Sequence, residues 1–121
     1  MSSEGKVPES WLDAGRVATL AAAGKFYLRS EGRNIVIVHE AGQFHAFEDS
    51  CPHQGASLWR GKMGQGLVTC PVHGLRFHLD DGRFCGGSDA GGLRLKIFPT
   101  TQRDGNLYVQ SESLPVVRAR G

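Results

Sequence analysis

FYLRSEGRNIVIVHEAGQFHAF, residues 26–47, decides the fold class. Three runs in it, FYLR (26–29), NIVIVH (34–39) and QFHAF (43–47), are rich in β-branched and aromatic residues, and the third alternates apolar with polar. The joints SEGR and EAG are short and contain glycine, as successive antiparallel hairpins require. The pattern resumes downstream. LRFHL (75–79) runs into Asp81-Gly82, a hairpin-turn signal, and LRLKIF (93–98) alternates apolar with basic before Asp104-Gly105 turns the chain into NLYVQ (106–110). Strand runs with turns about every ten residues argue for an antiparallel all-β sandwich or barrel. Helical composition is confined to RVATLAAA (16–23), which Gly24 ends.

The 121 residues make one domain with enough chain to bury its own core. Glycine, at 17 residues, is about twice its usual share, which suits many tight turns. No apolar window is long enough to span a membrane, and MSSEGKVPES lacks the apolar stretch of a secretory signal. Three cysteines do not make a disulfide framework, so a reducing cytoplasm is the expected compartment. Net charge is +2, from 14 basic and 12 acidic residues, without the dense basic stripe of a nucleic-acid binder. Residues 1–16 and 111–121 read as tails around a domain at 17–110. Within it, 17–49 and 91–110 read as a β scaffold, and 50–90 as a smaller subdomain. The stretch 48–74 shows little strand character and reads as two functional loops.

Those loops are near-copies. Cys51-Pro52-His53-Gln54-Gly55 is followed by Cys70-Pro71-Val72-His73-Gly74, with sixteen residues between His53 and Cys70. Two thiolates and two imidazoles form a sulfur–nitrogen donor set that suits zinc or an iron–sulfur cluster. Structural zinc usually pairs like ligands along the chain, whereas each loop here offers one Cys and one His. Two ligands spaced as in C-x-H are cramped on a single metal. A two-metal cluster relieves the crowding, one metal taking both cysteines and the other both histidines. Pro52 and Pro71 stiffen the loops, and Gly55 and Gly74 are expected to let backbone amides approach the cluster.

CPHQG with CPVHG resembles the Rieske [2Fe–2S] signature, in which two histidines replace two cysteines on one iron. The resemblance runs from about Val17 to Gln110 and implies a Rieske-like antiparallel β-sandwich or barrel scaffold carrying a cluster-binding subdomain of two ligand loops. It implies that Cys51 and Cys70 bind the inner iron and His53 and His73 the outer one, with the imidazole edges at the tip of the domain. Respiratory members carry an extra cysteine in each loop; Ala56 and Val72 stand in those places here. Catalytic oxygenase subunits add a mononuclear iron site, and after His73 only His78 remains to build one.

The chain therefore resembles the small soluble ferredoxins of multicomponent, often aromatic-ring, oxygenases. The resemblance implies a one-electron carrier, expected to be monomeric, that passes electrons from a flavin-dependent reductase to a terminal oxygenase and has no turnover of its own. It touches neither nucleic acid nor membrane on this reading. The alternatives are a small Rieske-like subunit of an NAD(P)H nitrite reductase and, from another class, a zinc-stabilised binding module. High-potential Rieske centres have Ser and Tyr where this chain has Leu75 and Phe77, which implies a potential in the lower half of the family range. The covering segment 86–92 departs from the family in lacking proline. Cys85 reads as a small, partly buried residue, and His39, His45 and His78 as strand residues. Trp59 reads either as packing within the subdomain or as part of a docking surface.

Overall fold

The computed structural model describes residues 11–30, 32–52, 55–72, 74–85 and 93–110. Its elements in chain order are β1 (Trp11–Arg16), α1 (Val17–Ala23), β2 (Lys25–Ser30), β3 (Arg33–Glu40), β4 (Gln43–Glu48), β5 (Lys62–Gly64), β6 (Leu67–Thr69), β7 (Arg76–His78), β8 (Phe84–Cys85), β9 (Ile97–Phe98), β10 (Thr100–Arg103) and β11 (Asn106–Gln110). They form three antiparallel sheets, ordered β1-β11-β10, β2-β3-β4-β9 and β5-β6-β7-β8.

The apolar run in β3 explains how the sheets stack. Ile35, Val36, Ile37 and Val38 are all buried, although successive strand residues point to opposite faces. Ile35 and Ile37 join Ala46 and Phe98 in a core with Ala14, Leu20, Leu107 and Val109, against the β1-β11-β10 sheet. Val36 and Val38 join Phe47 in a second core with Leu58, Val68, Phe77, Leu79, Leu95 and both loop cysteines. A strand covered on both faces reads as a continuous apolar run, and β3 is that strand. The subdomain has no separate interior: its core continues through one face of the central sheet.

Three hairpins close with the same turn chemistry. Ala41-Gly42, Gln65-Gly66 and Asp104-Gly105 each have positive φ at both residues, at 53° and 79°, 57° and 78°, and 53° and 84°. That twist suits antiparallel strands. The short helix ends as its sequence implies, with Gly24 at φ 79° donating its amide to the Leu20 carbonyl.

The structure corrects the sequence reading in three places. Residues 11–16, assigned to the N-terminal tail, form β1 and pair with β11. The strand bulges between Asp13 and Gly15, and the Asp13 carboxylate holds the bulge by accepting the Gly15 amide and the Asn106 side-chain amide. Residues 62–69, read as loop, form the β5–β6 hairpin. LRLKIF keeps only Ile97–Phe98 as strand, because the segment changes neighbours as it runs. Leu95 donates to Gly82 between β7 and β8, Lys96 accepts from Glu48, Ile97 and Phe98 pair with β4, and after Pro99 the chain joins β11. The remaining tail residues, 1–10 and 111–121, and segment 86–92 lie outside the described residues.

Candidate metal centre

Each cysteine follows closely on a strand, Cys51 after β4 and Cys70 directly after β6. Both are 1% exposed and lie in the same apolar core, beside Leu58, Phe77 and Leu79. The two loops have the same backbone hydrogen bonds. Cys51 donates to the Ala56 carbonyl at 2.8 Å, and Gly55 donates back to the Cys51 carbonyl at 2.7 Å. Cys70 donates to the Leu75 carbonyl at 2.7 Å, and Gly74 donates back to the Cys70 carbonyl at 2.9 Å. Gly55 and Gly74 have φ of 78° and 75°. The Gly55 and Gly74 amides close the two turns.

Glycine stands four residues after cysteine in both loops, while the histidine stands two after in one and three after in the other. In sequence, the histidine therefore falls at a different step of the shared motif in each loop. His53 and His73, with Gln54, lie outside the described residues. Among the described residues no three His, Cys, Asp or Glu side chains gather closely enough to hold a metal ion. The described part of the donor set is the cysteine pair, two soft ligands at equal depth in an apolar pocket. That chemistry fits the thiolate side of an iron–sulfur cluster.

Asp49 is the site residue the sequence reading missed. Its Oδ1 accepts the amides of Leu58 and Trp59 at 2.6 and 2.9 Å, and its Oδ2 accepts the hydroxyls of Ser57 and Tyr27 at 2.8 and 3.0 Å. The carboxylate lies two residues before Cys51 and ties the start of the first loop to its end. An Asp at the mouth of a loop, where its short carboxylate can accept nearby backbone amides, is the available sequence signal. Desolvation, and then the bond to Asp49, raise the Tyr27 phenol above its ordinary range. Trp59 packs inward on the scaffold: its ring meets Tyr27 edge-on at 5.3 Å, Lys25 lies 4.5 Å above it, and Lys25 Nζ donates to its carbonyl.

The other histidines stand apart from the cysteines. His39 packs on Phe44 at 4.6 Å between ring centroids. His45 and His78 line a cleft of about 390 Å³ with Glu40, Gln65 and Asp80. The cleft lies at the β3–β4 and β5–β6 turns, the opposite ends of β4 and β6 from Cys51 and Cys70. There Glu40 accepts the Gly66 amide at 3.1 and 3.2 Å. Cys85 is half-buried on β8, opposite Arg76. None of the described helices is long and apolar enough to cross a membrane.

Residues 10–99 match the Rieske [2Fe-2S] domain family. The ferredoxin component of the alkene monooxygenase system of Xanthobacter autotrophicus is 30% identical over 82 residues, covering 67% of this chain and 65% of that protein. The 3-phenylpropionate/cinnamic acid dioxygenase ferredoxin subunit of Photorhabdus laumondii is 34% identical over 79 residues, covering 63% and 71%. The chain spans only 8% and 20% of the length of two other relatives. A chain from a complex of reduced oxygenase and oxidized ferredoxin in carbazole 1,9a-dioxygenase has the same fold, with a TM-score of 0.78 at 24% identity over 90% of this chain and 100% of that one.

Proposed function

Because the chain belongs to the Rieske [2Fe–2S] domain family, we propose that it is a one-electron carrier between a flavin-dependent reductase and a terminal oxygenase. Its cofactor is a Rieske-type [2Fe–2S] cluster. We assign the ligands as Cys51 and Cys70 on one iron and His53 and His73 on the other. The observation that carries this reading is the pair of matched loops, each burying its cysteine at 1% exposure behind the same two backbone bonds. When bound, such a cluster takes up and releases a single electron.

The protein's own part is to hold the donors still. Turns closed on themselves, each entered through a proline, leave the two thiols little room to move when charge changes. Leu58, Phe77 and Leu79 keep water from the sulfur side, which directs the polar edge of the site toward the loop tips. Val72, between Pro71 and His73, is 61% exposed and gives that tip an apolar contact.

Absorption and electron paramagnetic resonance spectra of the purified protein test the assignment. A red-brown protein bleached by dithionite, with a rhombic signal of low average g in the reduced state, is expected. His53→Ala and His73→Ala should each lose the cluster or its signal, and His45→Ala should keep both. A colourless protein holding stoichiometric zinc, or an unchanged signal in the His73 variant, overturns the reading.

A further inference from the structure

The sheet β5-β6-β7-β8 has one buried face and one open face. Met63, Val68, Phe77 and Phe84 stand opposite one another across the four strands and pack into the core. The adjacent row, Lys62, Thr69, Arg76 and Cys85, therefore points the other way. So does the row beyond the buried one, Gly64, Leu67 and His78. Arg83 extends that row, its carbonyl accepting the His78 amide, and Arg94 bridges to Arg83. Lys62, Arg76, Arg83 and Arg94 are all exposed. Asp81 is bound to Arg83 at 2.7 Å and offsets that charge.

Charge on this face is graded along the strands. Thr69 directly precedes Cys70, and Arg76 follows Leu75, whose carbonyl accepts the Cys70 amide. Lys62 and Arg76 flank Thr69 on either side, so two cations stand just below the second ligand loop, about 10 Å apart across two strand spacings. A shallow groove of about 270 Å³ runs along this face, lined by Lys62, Thr69 and Arg76 together with Leu67. Exposed Arg60 adds a third cation just before β5. Glu40, Asp80 and Asp81 lie toward the far end of the sheet. On the first-loop side stand Glu48 and Asp49, and the Asp49 carboxylate is already engaged by four donors.

Resting on the electron-carrier reading, we propose that the cysteine end of this sheet face docks an acidic redox protein, whose carboxylates meet Lys62 and Arg76 while an apolar patch covers Val72. An apolar centre with a charged rim is the usual composition of a transient interface. Rim charges act mainly on encounter rate and orientation. Lys62 and Arg76 stand at the cysteine end, while at the other end Arg83 and Arg94 are set against Glu40, Asp80 and Asp81, so an acidic partner is turned toward the second ligand loop.

The test follows oxidation of the dithionite-reduced holoprotein by two acceptors of opposite charge, ferricyanide and the basic protein cytochrome c. Each takes one electron from the cluster, giving ferrocyanide or ferrocytochrome c. At about 0.1 M salt only charges within about 10 Å of the exit act strongly. Lys62→Glu and Arg76→Glu should each slow ferricyanide and speed cytochrome c, by about threefold at that salt, with the effect gone near 1 M. Their absorption and resonance spectra should match wild type. Arg16→Glu, on the sheet beyond β3, makes the same charge change and should move neither rate. If reversal disturbs folding, Lys62→Gln and Arg76→Gln should shift both rates in the same directions by smaller factors. Rates unchanged in the face variants, or changed equally by Arg16→Glu, overturn the docking face. A protein without a reducible cluster overturns the carrier reading itself.

Discussion

Tyr27 donates its hydroxyl to the Asp49 carboxylate at 3.0 Å, joining the central sheet to the segment that enters the first cysteine loop. The same carboxylate holds the Leu58 and Trp59 amides, so one side chain fixes both ends of that loop against the scaffold. Asp49→Ala strands these donors, at a cost of about 1–3 kcal/mol. Loss of the visible absorption in the presence of a chelator should be several-fold faster in this variant. Asp49→Asn keeps an acceptor oxygen and should fall between. Tyr27→Phe removes one bond of four and should lie close to wild type.

Gly61 is fixed by contact and not by φ. A methyl group there would come within 2.0 Å of the Thr69 carbonyl oxygen, which belongs to the residue before Cys70. Gly64, three residues on in the same hairpin, has open space where its methyl would go. Gly61→Ala should destabilise the holoprotein by about 1–3 kcal/mol through overpacking against backbone, and Gly64→Ala should fall within about 0.5 kcal/mol of wild type. Thermal denaturation of the two variants side by side checks the difference.

The potential should lie low in the family range. Leu75 and Phe77 occupy the places where high-potential centres carry hydroxyls, and both pack in the cluster of buried residues that holds Cys51 and Cys70. Each hydrogen bond to a charged group contributes about 1.5–3 kcal/mol, and about 59 mV is a factor of ten for one electron. The reduced cluster carries the extra negative charge and gains more from such bonds. With most of each bond's free energy differential between the two oxidation states, two missing bonds lower the potential by about 100–200 mV, placing it below roughly +50 mV in a range of about −150 to +300 mV. Redox titration of wild type and of the Leu75→Ser, Phe77→Tyr double variant should show a rise in the variant. A wild-type value near the top of the range contradicts this account.

Asp81 titrates at about 2, held down from 3.8 first by the side-chain bond from Arg83 and then by the Arg83 backbone amide. A carboxylate whose folded pKa is lowered adds stability above its unfolded pKa. That contribution fades as pH falls from about 4 through 2. Both side chains are exposed, so the stability effect is small, and the titration is the sensitive readout. The carboxyl resonance of Asp81 should show a midpoint near 2 in wild type and move up toward 3.8 in Arg83→Ala.

The sequence showed most clearly what local patterns determine. The meander at 26–47 was legible because its runs alternate or are continuously β-branched and its joints are short and glycine-bearing. The likeness of the two loops was legible because each opens on Cys-Pro and continues to a His and a Gly. β1 was not, because WLDAGR contains Asp and Gly, and its strand character comes from pairing with β11 and from a bulge held by Asp13. The β5–β6 hairpin was hidden by strands of three residues and a Gln-Gly turn in place of Asn-Gly or Asp-Gly. LRLKIF misled because alternation reports which side faces inward and not which neighbour supplies hydrogen bonds. Asp49 was passed over because its partners, eight to ten residues ahead and twenty-two behind, meet only in the folded chain.

Trp11 lies opposite Gln110, so the first and last described strands run side by side. A unit whose two ends emerge together can be spliced into a longer polypeptide at a single surface loop without pulling its host apart. Tethered in that way, such a module would trade diffusive searching for a fixed local concentration, set by the length of its linkers.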